Sequence, residues 1–493
     1  MTDQAKSATV TRSTLVWVAV VLFVGVTLFI GEAALAAGAG LILAVAFAPA
    51  APWLLIGFLA VLLGFCVPMS ETPVPVAGMR FYGADVLLYF LALAALFLVR
   101  EVAAGRRVVA GRPQGEKVLL FLLGTMFCYG FVSLFVGVSH DYAINDALGT
   151  FRRLYFYALS VVLALVLPLQ ERHLRRLEYA FWGACGFVVL IGLYRSATGK
   201  TWLEDYFTKP TGYITQKRLL SHTEIASLGM ALGYFMAKLR TKPSVLVRLI
   251  GIAASGAAVL FLLLSGWRLA LGYIVIAPVL ALCLMAWLRR QRVMSVLWAA
   301  VLIGGFVIAG GAAMAFLAFP EKAIETLQLT QMRITEWHFD EDLRYYAWKE
   351  VLDLTRSHPI LGVGLGHQLV IFIRSSDGAF RGVPTTSHNT YLDVLYQSGV
   401  IGFALFVVFH LIFLVYLVRH IRRVKPEYHA VLTGLVCAYL CVMTVIAMQP
   451  LQPAGVVGLH IMMGFILLLL RPEHAMVPEA RAPAVVGQAE GQS

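Results

Sequence analysis

Apolar runs recur along almost the whole chain. A helix needs about 20 largely apolar residues to cross the hydrocarbon of a bilayer. Runs of that kind fall near 14–30, 33–50, 52–69, 84–99, 118–138, 154–169, 178–195, 223–239, 249–265, 269–288, 294–318, 391–418, 430–448 and 456–470. The first two are short and separated only by Gly31-Glu32, so the pattern predicts 12–14 transmembrane helices and an all-α polytopic fold. One long polar stretch, 319–390, divides an N-terminal membrane bundle (1–318) from C-terminal helices (391–471). Inside it, Arg344 to Arg356 predicts an amphipathic helix with Trp348, Val351, Leu352 and Thr355 on one face, stopped by Pro359. The tail 472–493, rich in Ala, Pro, Gly and Glu, reads as disordered. No small-residue cleavage site follows the first apolar run, which is therefore expected to be retained.

Composition agrees with the pattern. Of 493 residues, 60% are hydrophobic and 13% charged, against roughly 25% charged in soluble domains. All six cysteines lie in apolar runs, which argues against a disulfide framework or a CxxC metal site. The net charge of +12 is mostly topological. Basic residues concentrate in the loops holding Arg100 to Lys117, Arg172 to Arg176, Lys238 to Arg248, Arg289 to Arg292 and Arg419 to Lys425. Counting spans places these loops and both termini on one side, which the positive-inside rule makes the cytoplasm. Nucleic acid is thereby excluded as the partner of this charge. The stretch 319–390 falls on the opposite face.

Candidate chemistry sits on that opposite face. His388, in Thr386-Ser387-His388-Asn389-Thr390-Tyr391, stands where the polar stretch meets a membrane helix. It reads either as a helix-capping histidine or as a proton-transfer group, with Ser387, Asn389, Thr390 and Asp393 near enough in sequence to fix its tautomer. Arg218 precedes one helix, and Arg268 occupies a turn between two apolar helices. Each either snorkels to the interface or meets an anion, and guanidinium pairs match phosphate oxygens well. Arg344 adds a third positive group or an exposed ion pair with Asp340 or Glu341; Arg152 and Arg153 read as interfacial anchors. The run Gly362-Val-Gly364-Leu-Gly366 is either a tight turn packed on other backbone or a loop whose amides touch phosphate or sugar. It lacks the βαβ context of a dinucleotide fingerprint. The acidic cluster Glu336, Asp340, Glu341 and Asp342 lacks calcium-loop spacing and reads as a solvated face, so no metal is assigned.

Taken together, Ser265-Gly-Trp-Arg268, Arg344…Trp348, His358-Pro…Gly362-Val-Gly364-Leu-Gly366 and Ser387-His388-Asn389-Thr390-Tyr391-Leu392…Ser398-Gly399-Val-Ile-Gly402 resemble the signature region of the O-antigen ligase and polymerase superfamily. The motif-bearing part spans about 215–405. The resemblance implies a membrane glycosyltransferase with a GT-C-like bundle in the bacterial inner membrane, working at the periplasmic face without a cofactor. Its donor would be a glycan on undecaprenyl pyrophosphate. By position, Arg218 and Arg268 would hold the pyrophosphate and His388 would activate or orient the acceptor hydroxyl, with inversion at the anomeric carbon. Arg344, Gly364, Gly366, Asn389 and Tyr391 are candidate substrate contacts. The acceptor stays open between lipid A core, a second lipid-linked repeat unit and a protein hydroxyl. Leu220-Ser-His222-Thr-Glu224 departs from the family's Asn/Pro-rich version and leaves His222 and Glu224 without a role. A transporter or flippase for lipid-linked sugars competes with this reading. It would carry ionisable residues deep within spans and show repeat symmetry, whereas these charges sit at helix ends.

Overall fold

The computed structural model describes residues 50–64, 74–76, 79–81, 86–103, 112–167, 169–198, 220, 222–241, 243–264, 268–289, 343–374, 380–385, 387–447 and 453–471. Of Arg268 and Arg344 the backbone alone is described. The expected spans near 14–30, 33–50 and 294–318, the acidic cluster, the tail and Arg218 lie outside these residues.

The chain is a helical membrane protein. In order, α1 is Ala51–Gly64, β1 Val74–Val76, β2 Met79–Phe81, α2 Leu87–Ala103 and α3 Gln114–Ser139. A compound helix follows: α4 (Ile144–Phe151), a π turn (Arg152–Phe156), a 3-10 turn (Tyr157–Ser160) and α5 (Val161–Val166). Then come α6 (Glu171–Arg175), α7 (Glu178–Thr198), α8 (His222–Leu239), α9 (Val245–Leu264) and α10 (Arg268–Leu288). After the long polar stretch begins, α11 (Leu343–Ser357), β3 (Leu369–Arg374) and β4 (Phe380–Thr385) lead into α12 (Thr390–His420), α13 (His429–Ile446) and α14 (Pro453–Leu469). Among the described residues six helical segments are long and apolar enough to span a membrane, and four shorter apolar helices accompany them.

The basic loops that are described meet at one end of the bundle. There Arg471 Nε and Nη2 donate to Glu116 Oε1 at 3.1 and 3.0 Å, and Arg112 Nη2 donates to the Leu165 carbonyl at 3.1 Å. Arg175 pairs with Glu171 and Glu427, and the Arg422 guanidinium lies over the Trp287 ring. Helices therefore alternate between this basic end and a distal end that carries α11 and the β3–β4 hairpin.

The interior is organised around α8, which is buried on nearly every side against α13, α10, α9 and α7. Small residues make this possible, because they let backbones approach where no aqueous hydrophobic effect drives helices together. A side chain at Gly233 would meet Cys437, and one at Gly434 would meet Tyr234 Cβ and Phe181. Elsewhere exposed apolar residues such as Phe121, Phe131 and Phe135 on α3 and Leu246, Leu249 and Ile252 on α9 form the surface expected to face lipid.

Two expectations need correction. The compound helix begins at Ile144, not near residue 154, so the expected loop 139–153 shrinks to a short connection and Arg152 and Arg153 lie inside a helix. The first two turns are amphipathic, with Ala147, Thr150 and Phe151 buried beneath exposed Asn145 and Asp146, and the polar positions hide them from a hydropathy average. On α11 the buried face is Ala347, Val351 and Leu354, while Leu352 is exposed. That face packs with Val363, Leu369, Tyr396 and Leu392 in a small core separate from the main one. The β3–β4 pair is antiparallel, with Leu369 opposite Thr385 and Arg374 opposite Phe380. Its six-residue strands were not legible as a hairpin within a helical chain.

Candidate functional site

His388 sits at the apex of a tight turn between β4 and α12, with φ of 51°, in the left-handed region. For a residue with a Cβ that conformation costs on the order of 1 kcal/mol, and it persists only when the surroundings over-determine it. Here they do. Asn389 caps α12, its Oδ1 accepting from the amides of Tyr391 at 2.9 Å and Leu392 at 3.3 Å. Ser387 is fully buried. Its Oγ accepts from the Asn389 amide at 3.0 Å and lies 2.7 Å from Asp393 Oδ1, to which it donates. Trp348 Nε1 of α11 donates to the Ser387 carbonyl at 2.7 Å. The half-buried imidazole of His388 is thus presented by a turn anchored on both flanks.

Asp393 is buried one turn into α12. The charge of Arg153 acts on it and on Tyr396. Arg153 belongs to the π turn, an insertion that frequently marks functional sites. It was expected to be a simple interfacial anchor; the structure brings it toward the acidic residue beneath the His388 turn.

The glycine-rich loop is a splice in α12. At Gly399, with φ of 63°, the helix breaks. Released backbone groups find partners across the loop: Val363 N–H donates to the Tyr396 carbonyl at 2.8 Å and Gly364 N–H to the Gln397 carbonyl at 3.0 Å. Val400 N–H donates to the Pro359 carbonyl at 2.8 Å. Tyr129 Oη of α3 donates to the Ser398 carbonyl at 2.7 Å, and Tyr155 Oη to Ser398 Oγ at 2.6 Å. Leu365 N–H reaches the Ser133 carbonyl at 3.1 Å. Gly362, Gly364 and Gly366 all have positive φ, and a Cβ on any of them would collide with backbone: Gln397 and Gly399, Gly137, and Ala147 respectively. The packing reading of the motif is the one this geometry displays. The Gly364 amide donates to the Gln397 carbonyl, and Gly366 is buried against α4.

Beside the splice, Tyr142, His140, His358, His367 and Tyr396 form a chain of ring contacts, with centroids 5.4 Å apart for Tyr142 and His367 and 6.1 Å for His140 and His358. Burial and the neighbouring His358 push the His367 imidazole below its ordinary pKa, while burial raises that of the Tyr142 phenol. Tyr391 is half-buried, its ring edge-on to Phe406. Glu224, left without a role by the sequence, makes a bidentate ion pair with Arg195 at 2.9 and 3.4 Å, both side chains buried at the distal ends of α7 and α8. Arg268 opens α10 at the same end. Among the described residues no group of three or more His, Cys, Asp or Glu side chains is placed to share a metal ion.

The structure therefore joins His388, Asn389 and Tyr391 to Trp348, Ser387, Asp393 and Arg153. The phenols of Tyr129 and Tyr155 and the Ser398 hydroxyl were missed in the sequence; polar groups recurring within apolar runs were the available signal. Residues 253–407, which run from α9 through the polar stretch into α12, match a family model described as O-Antigen ligase. No curated protein matches the chain.

Proposed function

We propose that this chain, whose residues 253–407 match the O-Antigen ligase family model, transfers a glycan from undecaprenyl pyrophosphate to an acceptor hydroxyl at the periplasmic face of the bacterial inner membrane. The observation that carries this reading is the His388 turn, an imidazole in a strained backbone position held by Ser387, Asn389 and Trp348 at the end opposite the basic loops.

In the proposed reaction the acceptor oxygen attacks the anomeric carbon and its proton passes to His388. The bond from that carbon to the pyrophosphate oxygen breaks, the diphosphate leaves with the electron pair, and the centre inverts. Guanidinium groups at Arg218 and Arg268 would stabilise the charge that develops on the leaving group, so no metal is required. The N-terminus of α10 at Arg268 adds a favourable dipole at the same point. Asp393, which accepts from Ser387 Oγ, would keep the turn fixed while the imidazole gains a proton.

The test is transfer by purified protein in nanodiscs from a defined undecaprenyl-pyrophosphate glycan, with the new linkage read by mass spectrometry. Arg268→Ala is expected to weaken donor binding by tenfold or more; unchanged affinity would assign Arg268 to snorkelling. A ligase acting on lipid A core is the leading form of the proposal, and a polymerase joining lipid-linked repeat units is the second, since the family holds both. Glycan analysis of a deletion strain separates them: a ligase leaves lipid-linked polymer unattached, whereas loss of a polymerase leaves single repeat units.

A further inference from the structure

We propose that loop 359–362 is a wedge that immerses Ile360 and Leu361 in the lipid at the boundary between headgroups and hydrocarbon of the distal leaflet. The occupant of this surface is bilayer lipid.

Depth comes first. The helix α12 has 31 residues, or roughly 46 Å at about 1.5 Å per residue, against about 30 Å for the hydrocarbon. The excess lies at the distal end. The exposed positions Ile401, Ala404, Val408, Leu411, Val415 and Val418 recur at three- and four-residue spacing and form one apolar stripe down to the basic end. Above Gly399 the exposed apolar stripe does not continue: Asp393, Val394, Tyr396 and Gln397 are buried, Tyr396 in the small core with α11 and the loop. Gly399 therefore stands near the distal boundary of the hydrocarbon.

Loop 359–362 is tied to that level, not to the solvent above it. The Val400 N–H bond to the Pro359 carbonyl and the contact of Gly399 with Ile360 fix it beside the top of the stripe. Ile360 is 63% exposed and Leu361 40%, next to Val400 at 52% and Ile401 at 42%. Two consecutive large aliphatic residues at a loop tip are costly in water, and here they continue a surface already facing lipid. Irregular backbone is tolerated near membrane depth only when its polar groups have protein partners. Within the loop the Pro359 carbonyl accepts from Val400 N–H and the Gly362 N–H donates to the His358 carbonyl, so its two ends are paired with protein. His358, exposed and bonded to Ser357, marks the aqueous side of the loop.

The test places the fluorescent residue dansylalanine at position 360 of the full chain by codon suppression, in nanodiscs of phosphatidylcholine with and without bromine high on the acyl chain. Glu350, exposed on α11, serves as the aqueous reference site, and Val415 as the hydrocarbon reference. The expected result is emission shifted to the blue of the Glu350 site and several-fold stronger quenching by brominated lipid than by aqueous iodide. Iodide quenching equal to that at Glu350 would overturn the proposal. Resistance to both quenchers would overturn it as well, by showing that protein, another copy included, covers the tip. The same measurement at position 361 guards against a local distortion caused by the probe.

Discussion

At the residue scale the site is a problem of holding one imidazole in a conformation its backbone resists. Ser387 and Asp393 do most of this from below, through the 2.7 Å contact between Ser387 Oγ and Asp393 Oδ1. Neither is proposed to touch the reacting atoms, so both are positioning residues. Ser387→Ala is expected to lower kcat between about tenfold and a hundredfold, the range in which small misplacements of a catalytic group fall, with little change in KM. Ser387→Thr keeps the hydroxyl and should recover most of the loss. Asp393→Asn keeps an acceptor for Ser387 but cannot ionise, so comparison with Asp393→Ala separates hydrogen bonding from charge. Steady-state kinetics of the four variants checks this, and a loss confined to KM would reject the positioning role. Glu224 illustrates a different use of charge. With Arg195 it forms a buried bidentate pair, and truncating one partner of such a pair typically costs roughly 3–5 kcal/mol because the other charge is left alone. Glu224→Ala should therefore lower the thermal midpoint in detergent well before it affects chemistry, as a thermal-shift measurement would show.

At the scale of elements, α12 links membrane to site. It breaks at Gly399 and is repaired by loop 359–366, α3 and the π-turn segment, so three separate stretches of chain converge on one discontinuity. Gly399→Ala would place a Cβ against the Ile360 carbonyl at a φ of 63°. Left-handed strain of this kind costs about 1–3 kcal/mol, and steric conflict adds to it. The expected outcome is a lowered thermal midpoint together with loss of transfer, while a variant of wild-type stability would show that the splice is not needed. Spans such as 178–195 and 430–448 were legible because lipid imposes long uniform apolar runs. The start of α4 was not legible, since Asn145, Asp146, Arg152 and Arg153 interrupt its apolar residues and flatten the hydropathy there. The Gly-x-Gly-x-Gly run was legible as a choice between two roles. Deciding between them needed Gly137, Gln397 and Ala147, residues distant in sequence that only the fold brings together.

At the scale of the whole molecule the two ends do different work. The basic end is knit by ion pairs among Arg112, Glu116, Arg471, Glu171, Arg175 and Glu427. The distal end carries the small satellite core of Ala347, Val351, Val363, Leu369 and Tyr396 that supports the His388 turn. His388 was legible in the sequence from its place between a polar stretch and a span, but the bond from Trp348 to the Ser387 carbonyl entered only through packing. Whether His388 takes the acceptor's proton is read by single-turnover transfer in nanodiscs, comparing wild type with His388→Ala at saturating undecaprenyl-pyrophosphate glycan. The variant is expected to bind the donor as wild type does yet form no product; product formed at the wild-type rate would show that His388 does not take that proton.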